Sequence, residues 1–134
     1  SGSIMRSTYE LASKYVVPAI KRRLVLELAK KGLMGVEIAR KLSISQSLVT
    51  RYLSGERGSY INIDEYADIV KLVEGLANRI IENHMSEYDV VRELDRIVMA
   101  FMARKYLCKK HKEIEPSIDI TKCNICPSLY KVNI

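Results

Sequence analysis

Residues 35 to 58, GVEIARKLSISQSLVTRYLSGERG, constrain this chain more than any other stretch. Apolar residues recur at helical spacing on both sides of a break long enough only for a turn. Ile38, Ala39 and Leu42 share one face of a first helix, and Ala39 is small enough to let a second helix cross closely. Ser43-Ile44-Ser45 makes the turn, with Ile44 pointing inward and Ser45 placed to cap the next helix. Leu48, Val49, Tyr52 and Leu53 form that helix's apolar stripe. Gln46, Ser47, Thr50 and Arg51 face outward, and a basic loop containing Gly55, Arg57 and Gly58 closes the unit. The spacing predicts a helix-turn-helix, which presents its second helix to the major groove of DNA. An ordinary helical hairpin with a solvated polar face fits the same periodicity. The coincidence of small Ala, tight turn, Ser cap and basic loop favours DNA contact. Candidate contacts are Ser45, Gln46, Ser47, Thr50, Arg51 and Arg57, whose side chains reach base edges or phosphates.

Charge follows the same division. Residues 1–58 carry 11 Lys and Arg against 4 Asp and Glu, residues 59–104 carry 5 against 9, and residues 105–134 carry 6 against 3. A polyanion is drawn to the first segment and repelled by the second. A uniformly basic, soluble surface does not predict this segregation. No apolar run reaches membrane-spanning length and no signal peptide is visible, which points to a soluble cytoplasmic protein. The opening Ser-Gly-Ser reads as a scar left by cloning.

Elsewhere the pattern is helical. Leu11, Ala12 and Tyr15 begin one helix, and Pro18 is expected to open another, because proline suits a first turn and restrains the residue before it. Ala19, Ile20, Leu24, Val25 and Leu28 give that helix a wide apolar face, and Lys30-Lys31-Gly32 ends it. Lys21, Arg22 and Arg23 fit a solvated face or a phosphate contact equally well. Ser-Tyr-Ile-Asn-Ile, residues 59–63, is too short to assign as a strand. Asp64 is expected to cap a long helix carrying Tyr66, Ile69, Val70, Val73, Leu76, Ala77, Ile80 and Ile81. Ser86 with Asp89 resembles a capping box and starts a further helix with Val90, Val91, Leu94, Ile97, Val98, Phe101 and Met102. These stripes are wider than a small helix-turn-helix domain needs, so they are expected to supply intramolecular core and a dimer interface together.

A second signal lies near the C-terminal end. Cys108-Lys-Lys-His111 and Cys123-Asn-Ile-Cys126 hold all 3 cysteines of the chain and one of its 2 histidines. Two-residue spacing lets each pair reach one tetrahedral ion, so a structural zinc site is expected. An iron–sulfur cluster on the same residues is the alternative, making the tail a redox or iron sensor. A structural disulfide is disfavoured in a reducing compartment. His84 stands apart and reads as a helix-end residue.

The segment YVVPAIKRRLVLELAKKGLMGVEIARKLSISQSLVTRYLSGERG resembles the DNA-binding part of archaeal regulators of the lambda-repressor/Cro-like class, some of which are fused to a thiamine-phosphate synthase-like domain. The likeness covers roughly residues 9–58 and lies in Pro18-Ala19-Ile20, Ala39 and Val49 through Arg57. A Cys-rich C-terminal element occurs in such regulators, and Cys108, Cys123 and Cys126 resemble it. The resemblance implies that Gln46, Ser47, Thr50 and Arg51 approach bases and that Arg57 approaches a phosphate. Gly35 departs from the pattern, because relatives often place a phosphate-contacting Gln there. No segment matches the effector domain, so a vitamin-sensing role does not carry over.

The expectation is an all-α chain: a lambda-repressor-like helix-turn-helix bundle over residues 4–58, a helical dimerisation region over 59–106, and a small metal-stabilised tail over 107–134. It would act as a homodimeric, sequence-specific regulator on a palindromic operator of double-stranded DNA. A protein–protein adaptor with a zinc module is the alternative. No nucleophile with a nearby base, phosphate-binding glycine loop or open metal site suggests an enzyme.

Overall fold

Pro18 stands in the first turn of a helix, as expected, but no break in helical geometry precedes it. In the computed structural model of the chain, which describes residues 7–107, α1 (Thr8–Leu11) passes through a π-helical turn (Ala12–Val16) directly into α2 (Val17–Lys30). Leu11, Val16 and Val17 all keep right-handed helical geometry, and the Val17 N–H bonds to the carbonyl of Ala12. In a regular α-helix a proline leaves one carbonyl without a donor, and its ring collides with the carbonyl four residues back. The wider π turn relieves that crowding, so the helix continues where the local rule predicts a break.

The other elements are α3 (Gly35–Leu42), α4 (Gln46–Ser54), a 3-10 turn (Ile63–Glu65), α5 (Ala67–Asn83) and α6 (Glu87–Ala103). Among the described residues all regular structure is helical. None of these helices is long and apolar enough to cross a membrane.

Helix α2 is the axis of the fold. Ala19, Ile20, Leu24, Val25 and Leu28 are buried along it, and α3, α4, α5 and α6 all pack against it. The apolar core runs unbroken across residue 58 and joins the two expected helical regions. Residues 59–63 form no strand. Ile61 and Ile63 are buried, and between them Asn62 Oδ1 accepts the Asp64 N–H at 3.1 Å to start the 3-10 turn. Asp64 therefore does not cap α5, whose first position follows Tyr66 without a side-chain cap. Its carboxylate lies instead 2.9 Å from Arg23 Nη1 on α2.

Helices α5 and α6 run antiparallel. His84 ends α5 in the left-handed region (φ 48°), and Ser86 Oγ caps α6 by accepting the Asp89 N–H at 3.2 Å. Hydrogen bonding with Ser86, followed by the charge of Arg92, holds the Asp89 carboxyl below the usual carboxylate range. Ile69, Val73, Leu76, Ala77 and Ile80 of α5 are buried within one chain, as are Val90, Leu94, Ile97, Val98, Phe101 and Met102 of α6. The width of these stripes is thus taken up by α2 and by the packing of α5 and α6 on each other. Val91 is the exposed exception.

Candidate nucleic-acid interface

The α3–α4 unit is set by local chemistry. The Met34 N–H donates to Glu37 Oε1 at 3.0 Å and fixes the start of α3. Ser43 takes a left-handed conformation (φ 55°), and the Ile44 N–H then bonds to the Ala39 carbonyl at 3.0 Å. Ile44 packs inward against the core. Ser45 Oγ accepts the Leu48 N–H at 3.1 Å, capping α4 as its sequence predicts. Ile38, Val49 and Tyr52 are at most 2% exposed and lock the two helices onto α2. Leu53 departs from the expected apolar stripe, being 40% exposed.

The outward side of α4 presents Gln46, Ser47, Thr50 and Arg51, all exposed. Thr50 Oγ1 donates to the Gln46 carbonyl at 3.1 Å, so its hydroxyl offers only lone pairs outward. Ser45 uses a lone pair as the cap and keeps its proton for a further acceptor. Gln46, Ser47 and Arg51 have no side-chain partner among the described residues.

The basic loop is clamped onto α2. Gly55 ends α4 in the left-handed region (φ 80°), with its N–H on the Tyr52 carbonyl at 3.2 Å. Arg22 Nε donates to that same carbonyl at 2.9 Å, and the Arg57 N–H reaches the Arg51 carbonyl at 3.2 Å. Gly58 (φ +79°) lies so close to α2 that a Cβ there would strike the Pro18 carbonyl and sit 2.9 Å from Arg22 Cβ. Only glycine fits without moving backbone. These contacts hold the exposed Arg57 side chain at the C-terminal end of α4.

Of Lys21, Arg22 and Arg23 on α2, the two arginines have neither role expected of them. Arg22 braces the end of α4, and Arg23 is drawn inward between Glu27 and Asp64. Glu27 is 3% exposed and is paired with Arg23, which ties α2 to the turn before α5. The signal was present in sequence as a carboxylate four residues after an arginine, set in α2's apolar stripe.

The cations of the α3–α4 side are different. Arg40, Arg51 and Arg57 are exposed, Lys41 is partly so, and none has an ion-pair partner among the described residues. Gly35 stands at the first position of α3, where a Cβ would meet only Val49 Cγ1, at 4.0 Å. A larger side chain fits there, so its absence is not imposed by packing. Cys108, His111, Cys123 and Cys126 lie outside the described residues. No family model, curated protein or solved structure matches this chain.

Proposed function

We propose that this chain is a sequence-specific regulator that binds double-stranded DNA, with α4 entering the major groove as the second helix of a lambda-repressor-like helix-turn-helix. One observation carries the reading: Arg40, Lys41, Arg51 and Arg57 have no carboxylate partner among the described residues, beside a polar face without apolar cover. Such cations contact phosphates without first giving up an internal ion pair. Arg51 carries the fork that matches guanine O6 and N7, and the Gln46 amide matches adenine N6 and N7. Ser45 and Ser47 are short enough to donate to phosphates or nearby bases, Thr50 can accept from a base amino group, and Arg57 suits a phosphate beside the end of α4.

Selection from a random DNA pool, followed by affinity measurement against salt, tests the proposal. Arg51→Ala is expected to cost about 1–3 kcal/mol of discrimination at one position of the selected site. An equal loss on every sequence removes the base-reading role. Binding indifferent to salt, or absent, removes DNA contact and leaves the adaptor reading.

For residues 108–126 we propose a structural zinc ion held by Cys108, His111, Cys123 and Cys126, on ligand type and spacing alone. Elemental analysis is expected to find about one zinc per chain. Iron with acid-labile sulfide would assign a cluster instead, and no metal would remove the site.

A further inference from the structure

We infer that the outer face of α6 is a seam on which a second copy of this chain docks, antiparallel about a two-fold axis. The inner side of α6 is already complete, because Leu94, Ile97 and Phe101 are buried within one chain. The opposite side carries an independent pattern. Tyr88, Arg92, Asp95 and Met99 follow one another at steps of four, three and four, the spacing of a helix–helix seam. Tyr88 is 86% exposed, Met99 is 40% exposed, and both line a shallow groove of about 470 Å³ along the helix. A nearly bare tyrosine on a charged helix gains little from the described residues of its own chain.

The order of residue types identifies the occupant. In a two-fold pairing, residue i meets j and j meets i, so the surface must complement itself. Turned end for end, the seam brings Tyr88 against the partner's Met99 and Arg92 beside the partner's Asp95, and each contact occurs twice. A parallel pairing would set Arg92 on Arg92 and Asp95 on Asp95, so charge alone selects the antiparallel one. Thioether against aromatic ring is favourable in its own right. Asp95 is exposed and has no ion-pair partner among the described residues. Arg92 Nη2 lies 2.7 Å from Asp89 Oδ1, and the remaining donors of its guanidinium stay available to a second carboxylate. The seam uses neither α3 nor α4 and does not rest on the DNA reading.

Sedimentation equilibrium of the full chain under reducing conditions, where cysteines cannot cross-link copies, tests the assignment. Reversible dimerisation is expected. D95R and R92D should each weaken it by at least about tenfold, because each sets like charges against one another. The double variant R92D/D95R restores opposite charges across the seam and should return the dissociation constant to within about threefold of the parent. Both substitutions are on an exposed face, and thermal melting checks that each of the three variants remains folded. A chain monomeric at every concentration overturns the inference. So does a dimer indifferent to both single variants, or a double variant no better than the singles.

Discussion

The arginines of α5 and α6 differ in their surroundings from those of α3, α4 and the loop that follows. Arg79, Arg92, Arg96 and Arg104 each lie beside a carboxylate, at 3.8, 2.7, 3.8 and 2.6 Å from Glu93, Asp89, Glu93 and Asp68. Arg40, Arg51 and Arg57 have no such neighbour. Exposed ion pairs stabilise a fold little, but they cancel the field each charge projects into solvent. The two sides thus differ less in how many cations they hold than in how many remain uncompensated. On the proposed reading the difference gives the molecule a direction: a polyanion would be drawn to α4 and repelled by the acidic helices.

The sharpest way to break that comparison is to neutralise the uncompensated side. Replacing Arg40, Lys41, Arg51 and Arg57 together by alanine is expected to lower DNA affinity on the order of a hundredfold or more and flatten its salt dependence by about three phosphate contacts, those of Arg40, Lys41 and Arg57. Alanine at Arg79 and Arg96 removes as much formal charge per residue, yet should change affinity by no more than about twofold. Comparable losses in the two sets, measured across a salt series, would show that net charge and not its placement governs binding.

Arg22 and Arg23 form a third group that sharpens the contrast, since they are basic residues turned to structural use. Removing one partner of a buried pair leaves the other charge uncompensated. Glu27→Ala should therefore cost about 3 kcal/mol, toward the low end of the usual range because Arg23 keeps Asp64. Urea unfolding gives the value directly. A loss comparable to that of an exposed pair, such as Arg92 with Asp89, would mean that Glu27 contributes no more than a surface charge.

What was legible in sequence divides along the reach of the interactions. The α3–α4 turn could be read because Ser45 acts on Leu48, three residues away, and Ile44 fills a hole made by its neighbours. The helical character of every long segment followed from periodicity for the same reason. Arg22 could not be assigned because its acceptor is the carbonyl of Tyr52, and Arg23 could not because one of its partners is Asp64. The break expected before Pro18 is missing because the rule behind it assumes regular α geometry, which the π turn at Ala12–Val16 replaces. Asp64 misled because Asn62, two residues earlier, starts a tighter turn first. The outer seam of α6 was missed for a different reason. Its spacing is visible in sequence, but the stronger buried stripe of the same helix masks it until exposure separates the two faces.

The smallest expected effect belongs to the paired side and is read through pH. At the end of α6, Tyr106 donates its hydroxyl to Asp68 Oδ2 at 2.9 Å, on the same oxygen that Arg104 holds. The ring packs against Tyr66 and Phe101, with centroids 4.6 and 5.4 Å away. The hydrogen bond to Asp68 is the main cause, with burial and the carboxylate's charge added, that pushes the Tyr106 phenol above the ordinary tyrosine range. A folded-state value raised above the unfolded one favours folding at every pH below the ordinary tyrosine value. That contribution disappears as pH rises through the raised value. Asp89 has the opposite sign: its lowered value adds stability above the ordinary carboxylate range, lost as pH falls through the folded-state value. Tyr106→Phe should cost about 1 kcal/mol at neutral pH and flatten the alkaline limb of a melting-temperature profile. If the alkaline limb keeps its slope in the Phe variant, the tie between the end of α6 and the start of α5 is packing of the three rings, and the hydroxyl adds nothing to it.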